Sequence, residues 1–148
     1  MSKDNIWWGG KVPEVATLAS GGDDCMHGHL GVEFTHIGPG SVTARMPVDA
    51  RTQQPYGRLH GGASVALAET VGSVAASMTV DRERFATVGM EINANHIRPA
   101  YDGFVHATAT PINIGRTTQI WSIRIVDDNG KLVCISRLTM AVITLDRK

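Results

Sequence analysis

From about residue 30 the chain alternates between apolar and polar side chains. Leu30 to Ile37 reads as one strand and Ser41 to Val48 as the next, with Val42, Ala44 and Met46 set against Thr43 and Arg45, the period of a half-buried strand. Gly38-Pro39-Gly40 between them predicts a hairpin turn. After a polar stretch broken by Pro55 and Gly57, the segment Gly62 to Val80 is built from Ala, Ser, Val, Leu, Thr, Gly and Met, with Glu69 as its one charge. This predicts a single helix that is small or apolar on nearly every face and so must be wrapped. Beyond the charged turn Asp81-Arg82-Glu83-Arg84 come four β-rich runs, Ala86 to Ile97, Phe104 to Ile114, Thr117 to Val126 and Lys131 to Leu145. Asp127-Asp128-Asn129-Gly130 marks the last hairpin. One buried helix with about six antiparallel strands predicts class α+β, a curved sheet folded around the helix. Its open edges predict at least a dimer.

The first 28 residues mix Trp7 and Trp8 with Gly, Pro and Asp. They read as a lead-in rather than core, with a short helix around Pro13 to Ala19 and a loop through Gly21-Gly22-Asp23-Asp24; residues 29–148 form the domain. At 148 residues a second full domain does not fit. Charged residues make up 19% of the chain, low enough to suggest surface buried between subunits. Lys plus Arg balances Asp plus Glu, 14 against 14, so the overall field gives no reason to expect nucleic acid or an anionic membrane as partner. Cys25 and Cys134 are too few for a disulfide framework. With no signal-like start and no spanning apolar run, the expectation is a soluble cytoplasmic protein.

Glu69 carries the most information. An ionised carboxylate in an apolar helix is costly unless paired, and no cation lies three or four residues away. It is either a structural carboxylate bonded to the sheet or to another subunit, or a general base or nucleophile. His60-Gly61-Gly62 precedes the helix, where free N–H groups and the helix dipole favour a developing negative charge. That is the chemistry of an oxyanion hole, although Gly at a helix start is also ordinary turn chemistry. Gln54 and His60 are polar groups able to orient a water or a carbonyl, and Ser73 lies one turn beyond Glu69 on the same face. A bonded structural role is the plain alternative for both His60 and Ser73. At strand ends, His96 and Arg98 and the turn Gly115-Arg116-Thr117 are either solvated edge residues or, given an anionic ligand, a phosphate clamp. No serine-hydrolase elbow, NTPase loop or dinucleotide fingerprint is present. Cys25, His27 and His29 lack a matching second half, so no metal site is expected.

Several strings together resemble the hotdog-fold acyl-CoA thioesterases, in particular the bacterial 1,4-dihydroxy-2-naphthoyl-CoA thioesterases of the menaquinone pathway and relatives acting on hydroxybenzoyl-type thioesters. They are Met46-Pro47-Val48-Asp49, Arg51-Thr52-Gln53-Gln54-Pro55, Leu59-His60-Gly61-Gly62-Ala63-Ser64 through Leu67-Ala68-Glu69-Thr70, Ile92-Asn93-Ala94-Asn95-His96, Gly115-Arg116 and Ser136-Arg137-Leu138-Thr139. The resemblance implies Glu69 as the catalytic carboxylate and the Gly61 N–H on the thioester carbonyl. Gln54 and His60 would assist there, and Ser73 would lie near the attacking water. It further implies a site shared across a dimer, two dimers joined as a tetramer, and coenzyme A phosphates near Arg98 and Arg116, with a coenzyme A thioester as substrate and no metal or redox cofactor. The fold also hosts dehydratases, whose branch carries an Asp followed five places on by His; here Gln54 follows Asp49 at that spacing, which disfavours hydration. A non-catalytic acyl-CoA-binding or sensing module is the alternative, and it would have no use for a buried base.

Overall fold

The computed structural model describes residues 5–18 and 24–146. Six strands form one antiparallel sheet: β1 (Glu33–Gly38), β2 (Ser41–Pro47), β3 (Phe85–His96), β4 (Phe104–Ile114), β5 (Thr118–Asp127) and β6 (Leu132–Thr144). Their order is β1-β2-β4-β5-β6-β3, so β1 and β3 form the two margins. The helices are a one-turn α1 (Met26–His29) and the long α2 (Gly61–Met78). Register shifts at Phe34/His36, Gly89/Glu91, Pro111/Asn113 and Ile125/Val126 are the bulges that let the sheet curve.

The alternation that predicted the strands becomes the core. Val42, Ala44 and Met46, then Val105, Ala107 and Ala109, then Trp121, Ile123 and Ile125, then Leu138 and Met140 are all buried against Leu67, Ala68, Val71 and Ala75 of α2. Burying a side chain such as Leu67 or Val71 contributes about 1.5–3 kcal/mol. Small residues on α2 let it approach the sheet closely. A Cβ added at Gly72 would stand 2.6 Å from Leu138 Cδ2, so a larger residue there would require the buried Leu138 side chain to shift. At the far end of α2, buried Gln119 donates to Thr79 Oγ1 and accepts from Trp121 Nε1, which leaves its amide satisfied inside the core.

Two sequence expectations change. Trp7 belongs to the core, not to a loose lead-in: it is 3% exposed and its Nε1 donates to Gly38 O at 2.7 Å, with Ile6, Val15 and Leu18 packed nearby. The tail is held by the β1–β2 turn, a partner 31 residues away that no local periodicity reveals. The helix expected near Pro13 to Ala19 is a single 3-10 turn, Val15–Leu18; Ala19, and all of the expected loop before Asp24, lie outside the described residues. Secondly, α2 is not wrapped all round. Val65, Ala66, Glu69, Thr70, Ser73, Val74 and Ser77 are only half-buried, and their i, i+4 spacing makes one open stripe. Among the described residues no helix is long and apolar enough to cross a membrane.

Candidate active site

The start of α2 is built by the loop that precedes it. Arg51 donates to both carboxylate oxygens of Asp49, and this contact, followed by the Arg51 N–H, holds the Asp49 carboxyl below the usual range. Buried Thr52 donates to Pro47 O at 2.6 Å, and the Thr52 carbonyl accepts from His60 N at 2.8 Å. His60 is thereby fixed as the residue before the helix. Its Nδ1 accepts from the Gly62 N–H at 2.8 Å, and because an amide can only donate, the neutral ring carries its proton on Nε2. The Gly61 N–H receives no partner among the described residues. The next three N–H groups, of Gly62, Ala63 and Ser64, all donate to His60, so Gly61 carries the one donor of this first turn left open among the described residues.

Gly61 opens into a hollow of about 320 Å³ shared with Gln54, Ser64, His96 and Arg98. His96 lies directly against it, since a Cβ on Gly61 would come within 2.9 Å of His96 Nε2. The Gln54 side-chain oxygen accepts from Tyr56 N, and the Arg98 Nη1 donates to Leu132 O at 2.9 Å. Four of the residues singled out in the sequence, Gln54, Gly61, His96 and Arg98, therefore meet in one place.

Glu69 and Ser73 stand elsewhere. They line a second hollow of about 570 Å³ on the open stripe of α2, together with Gly62, Val65, Ala66, Thr70, Val74 and, from α1, Met26 and His27. No hydrogen bond or ion pair reaches the Glu69 carboxylate from any described residue. It rests on the backbone of β3, where a Cβ at Gly89 would come within 2.6 Å of Glu69 Oε1. Ser73 Oγ lies 3.9 Å from Met140 Sδ. Along a helix, eight residues rise about 12 Å, so Gly61 and Glu69 of one chain do not face the same carbonyl group. The separation is a matter of helix geometry and does not depend on side-chain conformation.

The two cationic positions are also apart. Arg98 N donates to Val133 O, whereas Thr117 O accepts from Val142 N, which sets them nine residues apart on β6, about 30 Å along the strand. Gly115, Arg116 and Thr117 form the β4–β5 turn, closed by Gly115 N on Thr118 O at 2.9 Å, and Arg116 is exposed. His60 borders a third hollow of about 340 Å³ with Met26, Arg51, Thr52 and Gly62. No group of three His, Cys, Asp or Glu side chains converges among the described residues. Burial pushes the Cys134 thiol up, the behaviour of an inert structural cysteine.

Sequence reasoning missed two contributors. Gly89 interrupts a strand run, a signal of a bulge or a close backbone approach, and the close approach is that of Glu69. Helix α1 is four residues long with two histidines and a glycine, too short to show a period.

The sequence pattern of the thioesterase superfamily matches residues 56–134. The 1,4-dihydroxy-2-naphthoyl-CoA hydrolase of Escherichia coli is 46% identical over 136 residues, covering 92% of this chain and 98% of that one. The proofreading thioesterase EntH of Klebsiella pneumoniae is 44% identical over 129 residues, covering 87% and 93%. The crystal structure of a mutant thioesterase from Pseudomonas aeruginosa superposes with a TM-score of 0.91 at 45% identity, over 95% of this chain and all of that one. With a six-stranded antiparallel sheet around one long helix and relatives of this likeness over nearly its whole length, the chain belongs to the thioesterase superfamily, as a hotdog-fold thioester hydrolase.

Proposed function

We propose that the protein hydrolyses an aromatic acyl-CoA, of the 1,4-dihydroxy-2-naphthoyl or hydroxybenzoyl type, to the free acid and coenzyme A in a site made by two chains. The observation that carries this reading is the Glu69 carboxylate, unpartnered among the described residues, which lies on an open helix face about 12 Å along the axis from the Gly61 N–H, likewise unpartnered among them. A second copy resolves the separation. β3 is a sheet margin with Val88 and Met90 exposed, and Gly89 lies against Glu69 as His96 lies against Gly61. An antiparallel β3–β3 pairing centred between Ile92 and Asn93 puts Gly89 opposite the partner's His96. Glu69 then faces the partner's Gly61 and Gln54. The same pairing covers the margin strand. Assembly of two dimers into a tetramer, implied by resemblance, is part of the proposal.

In this site the thioester carbonyl oxygen accepts from the Gly61 N–H, with Gln54 as a further donor lining the same hollow and His60, which borders the adjoining hollow, in an assisting role by resemblance. The Glu69 carboxylate of the other chain takes a proton from water as the oxygen bonds to the carbonyl carbon, or it attacks that carbon itself to give an anhydride that water then opens. The C–S bond breaks, coenzyme A leaves as the thiolate and takes up a proton, and the acyl group departs as the carboxylic acid. Arg98, and Arg116 in its own turn, are the groups offered to the coenzyme A phosphates, while His96, the other residue expected there, lies against Gly61 and so stands at the thioester end. The larger hollow, about 570 Å³ and mostly apolar, is of the size that holds a small organic group. The name of the Escherichia coli relative favours the naphthoyl ester.

Thiol release from a panel of aryl- and alkyl-CoA esters tests the reading, with native protein beside Glu69→Gln. Turnover of aryl esters that falls by ~10²–10⁴ in the variant supports it. Near-native turnover by Glu69→Gln sinks the assignment of Glu69.

A further inference from the structure

Besides Glu69, the hollow carries three polar side chains, Thr70, Ser73 and His27. Thr70 Oγ1 is spent on Ala66 O at 2.7 Å, and Ser73 Oγ lies against Met140 Sδ. Glu69 is kept for the thioester. The remaining polar group is His27, brought to the rim by α1, while Met26, Val65, Ala66 and Val74 make the rest of the lining apolar. Cys25 Sγ lies 3.5 and 3.4 Å from the Nδ1 and Nε2 of that ring. A thiol has one proton and sulfur is a weak partner, so Cys25 steadies the imidazole without using up its capacity for a ligand.

We infer that His27 is a specificity-determining residue that hydrogen-bonds a hydroxyl group on the acyl moiety, an assignment that rests on the thioesterase site proposed above. The argument is one of exclusion by charge. A carboxylate on the acyl group would share the hollow with Glu69 and be repelled by it. An ammonium would pair with Glu69 and occupy the oxygens that hydrolysis requires. A purely apolar acyl group would cover the half-buried imidazole and displace its water, leaving it only the weak Cys25 sulfur as a partner. A neutral hydroxyl on an otherwise flat apolar group meets none of these objections, because a ring nitrogen can donate to it or accept from it in the neutral state. The hydrogen bond is made away from the carbonyl and persists from ground state to transition state. It therefore selects between substrates rather than accelerating the reaction as such.

The test compares kcat/KM for benzoyl-CoA with that for each of the three monohydroxybenzoyl-CoA isomers, in native protein, His27→Leu and His27→Gln. Native protein is expected to prefer at least one hydroxylated isomer over benzoyl-CoA. His27→Leu should lower that preference about tenfold, and His27→Gln, which keeps a donor and an acceptor, should restore most of it. His27 sits on a one-turn surface helix, so both variants are expected to keep the native melting temperature. If His27→Gln alone folds, a preference equal to the native one supports the inference and a preference lost as in an apolar pocket overturns it. Preferences in His27→Leu within about twofold of native overturn the assignment of His27 and leave the site reading standing. Absence of thiol release from every ester in native protein overturns both.

Discussion

Replacing Gly61 by proline deletes one hydrogen-bond donor while keeping the helix start intact. Gly61 is the first residue of α2, its φ is not in the left-handed region, and its N–H has no partner among the described residues. Proline is favoured at this position because its fixed φ suits the helix and the missing N–H was unbonded anyway. The residue before a proline must be extended, and His60 already is, at φ −68 and ψ 130. Any side chain at 61 meets the same obstacle, His96 Nε2 at 2.9 Å from the new Cβ. Gly61→Ala is therefore the control for the Cβ contact: it brings the same clash with His96 and keeps the N–H, whereas proline also sets its Cδ where the N–H hydrogen stood. If that N–H stabilises the oxyanion, Gly61→Pro loses ~10²–10³ in kcat relative to Gly61→Ala, about 2.7–4 kcal/mol of transition-state stabilisation. Steady-state thiol release on one aryl-CoA ester, with circular dichroism and melting curves on both variants, measures it. Two variants within about threefold of each other, both folded, would refute the role of the Gly61 donor.

Other expectations follow from the same geometry. Gly72→Ala drives a methyl group to 2.6 Å from Leu138 Cδ2; crowding costs about 1–3 kcal/mol and the better helix propensity of Ala returns about 1 kcal/mol, so urea denaturation should show a net loss of up to about 2 kcal/mol, and a gain in stability would mean that α2 is not seated as described. Arg98→Ala should raise KM for coenzyme A esters with little change in kcat, and the effect should shrink in high salt; equal loss in kcat would place Arg98 at the chemistry instead. Asp128 is held below the usual carboxylate range, first by its hydrogen bond from His106 and then by the Phe104 N–H. The stabilisation is therefore full above pH about 4 and fades as the pH falls through the lower folded value. In acid titration of stability Asp128→Asn should show a flatter loss below pH about 4, and an acid limb as steep as native would refute this.

Most of the fold was legible because its elements obey local rules. β2, β4 and β5 bury every second residue over most of their length, β6 does so after the adjacent buried pair Val133 and Cys134, and one face of each fills the core. The boundaries of β4, Phe104–Ile114, match the expected run at both ends. The long helix was legible from its small residues, but its open stripe was not. Val65, Ala66 and Val74 resemble core positions, and only the placement of the curved sheet decides which of them it covers. Trp7 and α1 were missed for a related reason, since each is held by residues far away in sequence. Within the site, Gly61 and Glu69 stood out through chemistry that is costly to keep without a purpose. The separation of the two in one chain follows from the eight residues between them once a helix is expected; what the sequence alone did not reveal is that each enters a different hollow. His27 was weighed only as a metal ligand, and its neighbour in space turned out to be the Glu69 hollow.

The central claim is that two chains complete one site, and subunit complementation tests it most directly. Glu69→Gln and Gly61→Pro, each inactive alone, are co-expressed and purified by one tag on each chain, so that only mixed assemblies are recovered. In a mixed dimer both lesions fall in one of the two sites and the other site is native. The account predicts that such dimers recover about half of native thiol release, and that tetramers joined at random from all dimers recover roughly a quarter. Activity no higher than that of the parent variants, from mixed dimers shown to be intact, would contradict it.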